Sequence, residues 1–370
     1  MKALVIGGTG PTGPYLVNGL IARGYDVTML HRGTHELDEN PPEVEHIHVD
    51  PHFRETLDPV LRGRKFDVVI ATYGRIRIIA EALIGVTERL ITIGGPPSYR
   101  GMFNPEANFP EGMPIPTPEN AQRIESAEDA SFGWLIRQSE ETVLGFHAAG
   151  HYNATIFIYP MVYGPNQIGG IEWVAMRRAQ DKRRQIILPD GGLTIVSRGF
   201  AENMAHAVLL AVDNPKASAG KIYNCADEQA VTLGQWVQII GRSMDWEFEI
   251  CGIPDQFAHT ARDYFPLGTT AHHQLLDIFQ IRHDLGYRDL VPMQEGIRRT
   301  VEWLLKHKPD NDGRFLNRAD PLNYALEDRL LEIYNQGKSR LADIAFTPKA
   351  VHHPYPHPKI AGQARDHRQR

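Results

Sequence analysis

The chain has 370 residues, 42% of them hydrophobic, and can bury a sizeable core as one large domain or as two unequal lobes. A net charge of −6 argues against a nucleic-acid partner, and two cysteines in unrelated contexts, Cys225 and Cys251, exclude a disulfide framework and offer no zinc spacing. No run reaches the ~18 apolar residues of a membrane span, and the first residues lack a signal-peptide pattern, so no membrane contact and a cytoplasmic location are expected.

The first element, KALVIG, is a short apolar run of the kind a parallel strand buried on both faces shows. GGTGPTG follows: Gly7, Thr9, Gly10, Pro11, Thr12 and Gly13 make a glycine-rich loop. PYLVNGLIARGY then places Tyr15, Leu16, Leu20 and Ile21 at helical spacing, with Gly24 where a C-cap belongs. DVTMLH reads as a second strand, which completes a βαβ unit. In that setting Gly7 allows the tight turn, Gly10 lets the backbone approach a pyrophosphate and Gly13 lets the helix pack closely, while amides of the helix terminus face the phosphates.

His31, Arg32 and Gly33 end the second strand, with no carboxylate before Glu36. An acidic residue there suits a free 2′-hydroxyl, whereas a guanidinium matches a 2′-phosphate in charge and geometry, so NADP is the expected cofactor. The alternative is NAD, with Arg32 a solvated surface residue. EHIHVD ends a third strand at Asp50, FDVVIATYG a fourth at Ala71 to Gly74, RLITIGG a fifth at Gly94 and Gly95, and NATIFIYP makes a sixth. Strands alternating with helical stretches predict a doubly wound parallel α/β sheet of the Rossmann kind, with ligands at the carboxyl ends of its strands.

VIGGTGPTG, Asp50, VVIATYG, RQSEETVL, VYGPNQ, AENMAHAVLLAV, GKIYNCADEQAVTLGQW and LGYRD…EGIRRTVEWL together resemble the extended short-chain dehydrogenase/reductase family, in its NAD-dependent epimerase/dehydratase group, over about residues 1–306. The resemblance implies a Rossmann lobe (1–160 and about 200–224) and a smaller, mostly C-terminal substrate lobe (about 161–199 and 225–306). It puts Asp50 near the adenine, Arg32 at the adenosine ribose, and Ala71, Thr72 and Tyr73 along the nicotinamide side.

The family's catalytic set is a Ser or Thr after strand five and a Tyr-x-x-x-Lys on the next long helix. Here the first position reads Gly94-Gly95, the Tyr position falls on Gly133 (or Phe132), and the Lys position on Arg137. Arg137 can bind ribose hydroxyls and supply charge but no proton near neutral pH. Tyr99, in PSYRG, and Tyr159 and Tyr163, around strand six, are the candidate replacement acids. Otherwise the substrate needs little help, as an iminium or a conjugated alkene would, or the protein binds a nucleotide without turnover. Glycine in place of the usual side chains suggests extra volume beside the nicotinamide.

The expectation is therefore an NADP-dependent oxidoreductase moving hydride to or from a bulky carbonyl, imine or activated alkene. The alternatives are an NAD-dependent epimerase/dehydratase and a non-catalytic NADP sensor. The long helices flanking the sheet suit a homodimer. Trp173, Trp246, Phe257, Tyr264 and Phe265 are candidate pocket or core aromatics, and ARDYFPLGTTAHH a candidate lid. His272-His273, and His352, His353 and His357, lack clamp spacing, and no metal site is expected. Beyond Lys306, residues 307–370 form a C-terminal extension: a helix with Asp320 as N-cap, Pro321 in its first turn and Gly337 at its end, then a Pro- and His-rich arm.

Overall fold

The structure, a computed structural model, describes residues 1–34, 36–108, 113–167, 171–264, 272–308, 324–345, 347–348, 355 and 357–366. Phe265, the middle of the proposed lid, Asp320, Pro321, His352 and His353 lie outside the described residues.

The apolar runs form the strands of one sheet: β1 (Lys2–Ile6), β2 (Asp26–His31), β3 (Glu45–His48), β4 (Val68–Ala71), β5 (Arg89–Gly94), β6 (Asn153–Ile158) and, returning late in the chain, β10 (Lys221–Asn224). Their spatial order is β10-β6-β5-β4-β1-β2-β3, all parallel. Strand order reverses at β1, between β4 and β2, and that switch point is where a doubly wound sheet opens a crevice.

Both faces of the sheet are buried, which is why these strands are apolar throughout rather than alternating. On one face Ala3, Val5, Met29 and Phe157 pack with Leu16 and Leu20 of α1 (Gly13–Ile21) and Met204 and Val208 of α6 (Ala201–Asp213). On the other, Leu4, Ile6, Leu30 and Ile156 pack with Leu57 of α2 (Arg54–Leu61), Ile79 of α3 (Ile76–Ala82) and Val143 of α4 (Ala127–Ala148). Each helix thus covers the face its apolar stripe fits.

One charge lies inside this apolar frame. Arg89, at the start of β5, donates to Thr155 Oγ1 (2.8 Å), Ser218 Oγ (2.6 Å) and Asn153 Oδ1 (2.8 Å), so residues more than 120 positions apart close around it. Burial lowers its pKa to about 10, still leaving it cationic at neutral pH.

Between β6 and β10, and after β10, the chain builds a second layer. β7 (Met161–Tyr163) pairs in parallel with β9 (Arg198–Phe200), and β8 (Gln185–Pro189) with β11 (Glu249–Ile253). These carry α5 (Ile171–Gln180), α7 (Leu233–Arg242), α8 (Phe279–Leu285) and α9 (Met293–Lys306). A capping box starts α7: Gln235 N–H donates to Thr232 Oγ1, and the Gln235 side chain accepts from the Thr232 N–H.

Met1–Glu327 is one compact unit and Asp328–Arg370 a second. The last helix, α10 (Tyr324–Ala342), begins in the first of them. It does not stop at Gly337: the residues beyond, Lys338 to Ala342, are good helix formers and carry it another turn. Within the first unit, buried Glu327 pairs with buried Arg178 at 3.0 Å and with Arg183 at 3.3 Å, and the Tyr324 hydroxyl donates to Asp181 at 2.6 Å. Arg183, from the basic run at 182–184, thus serves this contact. In the second unit the exposed apolar side chains include Ile333, Leu341 and Ile344.

Removing one partner of a buried ion pair costs about 3–5 kcal/mol, because the other charge is left unpaired. Glu327→Gln should accordingly lower the unfolding free energy of the full chain, read by urea denaturation, by an amount in that range. An unchanged midpoint would show that this first turn is not docked in solution.

Candidate cofactor cradle and active site

The loop from Gly7 to Gly13 fills the turn between β1 and α1. Gly7 sits at φ +94°, and a Cβ there would lie 2.5 Å from Tyr73 Cβ and 2.7 Å from Thr72 Oγ1. Its N–H donates to Leu30 O (2.9 Å), while the Thr72 N–H and hydroxyl reach back to Ile6 O (2.9 and 3.2 Å). The ends of β1, β2 and β4 are thus sewn together by backbone. A Cβ on Gly13 would stand 2.0 Å from Gly8 O, so the helix packs on the loop itself. At Gly10 an added Cβ meets nothing within 4 Å. No acidic residue occupies the first turn of α1, and the amide dipoles there oppose no resident anion. Backbone donors beside open space suit a pyrophosphate.

At the end of β2 neighbouring residues part company. Arg32 goes to the side of Tyr73, its guanidinium 5.3 Å from the ring centroid, and Tyr73 in turn meets His52 edge-on at 5.2 Å. His52 Nδ1 lies 2.5 Å from Asp50 Oδ1, and this contact, more than the weaker pull of Arg32, holds the Asp50 carboxyl below its ordinary range. Arg32, Asp50 and Tyr73, drawn from three strand ends, therefore come together, joined by His52, which the sequence reading missed. His31 does not join them. Its ring is buried on the opposite face, where Nε2 lies 3.0 Å from His46 Nδ1, because successive strand residues face opposite ways. His31 is thus removed from the cofactor residues.

The candidate acids fare differently. Tyr99 is fully buried and donates to Asn224 Oδ1 at 2.7 Å. Tyr159 donates to Met204 O at 3.0 Å and Tyr163 to Asp227 Oδ2 at 2.7 Å. Burial raises the pKa of all three phenols. Each was placed at the cleft on its position in the chain alone; the rings instead point into the core, where a hydroxyl must find a protein partner. Arg137 is likewise turned aside, to Glu141 (2.7 Å) and Ile124 O (2.9 Å). Beside the end of β5, α4 brings Glu140 Oε1 to 3.8 Å from where a Gly94 Cβ would be and Ile136 Cδ1 to 3.9 Å from where a Gly95 Cβ would be.

Nor does glycine open the expected volume at the family's Tyr position. A Cβ on Gly133 would lie 2.0 Å from Pro97 O and 2.4 Å from Ile124 Cδ1: the turn over Pro96–Ser98 lies against the helix and fills the space. Beneath that turn Ser98 Oγ donates to Glu140 Oε1 (2.8 Å), Arg123 Nε pairs with Glu140 Oε2 (3.1 Å), and the Arg123 guanidinium lies over the Tyr99 ring at 3.9 Å. Burial raises the Glu140 pKa, against the opposing pull of Arg123. This polar group spans 43 positions, and no local motif announced it.

The remaining aromatic and histidine candidates have structural roles. Trp173 is buried, Phe257 exposed, and Trp246 Nε1 donates to Arg183 O at 3.2 Å. His272 Nε2 contacts Met102 O (3.0 Å), and His273 Nδ1 accepts the Ile195 N–H (3.0 Å). Both cysteines are buried free thiols. Among the described residues no helix is long and apolar enough to cross a membrane.

Residues 108–226 match the NAD dependent epimerase/dehydratase family. The structure is similar to UDP-glucose 4-epimerase from Thermotoga maritima, with TM-score 0.67 and 17% identity, over 83% of this chain and 99% of that one. A 4-hydroxy-2-methyl-3-oxo-4-farnesyl-3,4-dihydroquinoline-1-oxide ketoreductase of Stigmatella aurantiaca is 23% identical over 70% of this chain and 78% of its own length. The chloroplast stem-loop binding protein of 41 kDa b from Arabidopsis thaliana is 23% identical over 80% of this chain and 77% of its own length. The resemblance read from the motifs holds over residues 108–226, which match the epimerase/dehydratase family, and the fold is that of the solved epimerase.

Two outcomes follow from this geometry. Gly133→Tyr, which restores the family's usual residue, should destabilise the protein by about 1–3 kcal/mol or more through overpacking, instead of creating activity; a variant of wild-type melting temperature would contradict the contact with Pro97. The second concerns Asp227, whose pKa burial pushes up to about 6 despite three donors: the Asn203 side chain, the Phe200 N–H and the Tyr163 hydroxyl. A carboxyl raised in the fold contributes stability that is complete below about pH 4 and lost as pH rises through 6, on the order of 2–3 kcal/mol. In Asp227→Asn the stability difference between pH 4 and pH 7, read by urea denaturation, should shrink by that amount. An unaltered difference would place the Asp227 carboxyl in its ordinary range.

Proposed function

We propose that this chain of extended short-chain fold is an NADP-dependent oxidoreductase that reduces, or forms by oxidation, a carbonyl, imine or activated alkene. In this reading residues 161–199 and 225–306 form the substrate lobe over the strand ends. The observation that carries the cofactor choice is Arg32: it emerges from β2 on the side of Tyr73 and Asp50, while the carboxylate nearest in sequence, Glu36, pairs with histidines on the opposite face. A guanidinium beside an aromatic face can hold a 2′-phosphate by charge, while the nearby Asp50 carboxylate is engaged by His52.

Gly7, Gly10 and Gly13, with Thr9, Pro11 and Thr12, would hold the pyrophosphate, and Ala71 to Tyr73 would flank the nicotinamide side. NADPH bound there supplies hydride. The chain's part is to orient the acceptor against the open end of β5, where Gly94 and Gly95 present backbone and Ile136 and Pro97 present apolar surface that excludes water from one side. With Tyr99, Tyr159 and Tyr163 donating to protein acceptors, the reading favours an acceptor that needs no phenolic acid. An iminium already carries its positive charge, and the carbanion or alkoxide formed from an enone or ketone takes its proton from water. The Stigmatella relative, named for a ketone on a dihydroquinoline 1-oxide, lies within this class.

A second reading, binding without turnover, draws support from the same committed tyrosines and from a relative named for binding a stem-loop. The chain's net charge of −6 counts against transferring that partner here. An epimerase or dehydratase is disfavoured because its central proton transfer needs the phenol that this chain lacks at Gly133.

Titration of NADPH and NADH by calorimetry, on the wild type and Arg32→Ala, tests the cofactor. NADPH should bind about tenfold or more tightly than NADH, from ~1.5–3 kcal/mol for a charge-assisted contact, and the substitution should erase the difference. Equal affinity of the wild type for both cofactors would overturn NADP. Turnover of iminium or enone acceptors with NADPH then separates the enzyme from the binding protein.

A further inference from the structure

On the face of the β2–β3 edge opposite Arg32, three imidazoles and one carboxylate converge. β3 is the outermost strand, and its register sets His48 directly beside His31, with His46 two residues earlier on the same face. Glu36 reaches over from the β2–β3 connection. His31 Nε2 is 3.0 Å from His46 Nδ1 and 3.6 Å from Glu36 Oε1. Glu36 Oε2 is 3.1 Å from His46 Nδ1, and Glu36 Oε1 is 3.1 Å from His48 Nε2. One ligand atom from each of the four residues lies within 4.8 Å of all the others.

We propose that His31, Glu36, His46 and His48 form a four-coordinate site for a divalent transition metal, with zinc the best match. Donors at 2.0–2.1 Å around a tetrahedral ion stand about 3.3 Å from one another, and the measured separations fall on either side of that value. Three imidazoles and a carboxylate are a borderline N/O set, suited to zinc rather than to magnesium or calcium, which take oxygen cages.

Three hydrogen bonds in the cluster compete for the same protons. The Gly33 N–H donates to His31 Nδ1 at 3.2 Å, so a neutral His31 carries its proton on Nε2, aimed at His46 Nδ1. That nitrogen must then accept, yet it also sits 3.1 Å from the Glu36 carboxylate, which calls for a proton on the same nitrogen. One nitrogen cannot do both. A cation at the centre takes a lone pair from each ring and from the carboxylate and removes the conflict; ligation through His31 Nε2 moves that ring's proton to Nδ1 and gives up the long Gly33 contact.

The burial gradient fits an ion held from inside and reached from outside. The His31 side chain is 4% exposed, that of His46 23%, and those of Glu36 and His48 49% and 54%. An ion there would tie the edge strand and the β2–β3 connection to β2, one residue before Arg32 emerges on the other face. The site is separate from the dinucleotide cradle and stands whether or not that reading holds.

The test is zinc titration of metal-free full-length protein, by calorimetry against a competing chelator, with melting temperature as a second readout. The wild type should take up one zinc per chain and melt higher with it, whereas magnesium should do neither. His46→Ala and, on a half-exposed side chain, Glu36→Gln should each weaken zinc binding by about 100-fold or more, as loss of a ligand exceeds the 10–100-fold of outer partners. His352→Ala/His353→Ala/His357→Ala, in the tail, should bind as the wild type does. No stoichiometric uptake by the wild type, or undiminished uptake by a folded Glu36→Gln, overturns the site; so does loss of zinc in the tail variant alone.

Discussion

The glycine-rich turn between β1 and α1 depends on backbone touching backbone. Gly13 meets the Gly8 carbonyl, and Gly7 meets the chain after β4, at distances no side chain permits. Because these contacts carry no side chains, α1 can start immediately above the end of β1, and its Leu16 and Leu20 can reach the core that covers one face of the sheet. The same closeness leaves amides exposed at the switch point between β4 and β2. Packing and anion binding are therefore one requirement, met by glycine in both respects.

A second backbone contact limits the chemistry. Where α4 would carry a phenol, Gly133 admits the Pro97 carbonyl instead, and the turn that supplies it buries Ser98 and Glu140 against Arg123. A missing side chain can open a pocket or let a neighbour close in, and close packing of protein interiors favours closure wherever a neighbour can move. Here the space is filled. Beside β5 lie backbone, the apolar Ile136 and Pro97, and the Glu140 carboxyl.

The end of β2 shows how two faces of one strand can serve different ends. Arg32 and His31 are adjacent, and the pleat sends them to opposite sides: one to Tyr73 and Asp50, the other to His46, His48 and Glu36. Buried charge elsewhere does structural duty of the same local kind. Arg89 closes β5 and β6 onto the chain before β10, and Arg178 with Glu327 fastens the first turn of the last helix.

Much of the fold was legible because it depends on near neighbours. Six of the seven parallel strands follow from short apolar runs set between helical stretches, whereas β10 lay only within the GKIYNCADEQAVTLGQW segment of the resemblance. The expected N-cap of the C-terminal helix, Asp320, lies outside the described residues, and the helix runs past Gly337 because a lone glycine is tolerated among strong helix formers. The pocket chemistry was not legible, since it rests on pairs far apart in the chain: Tyr99 with Asn224, Tyr163 with Asp227, Ser98 and Arg123 with Glu140. Spacing along a chain tells which face a residue takes relative to its neighbours. It does not tell which distant backbone will fill the room beside it, and that is decided only when the layers pack; so the sequence by itself determined a doubly wound sheet with a glycine-rich turn after β1, while the tertiary structure decided that the tyrosines donate to protein partners, that Gly133 is closed and that the histidines of β2 and β3 meet.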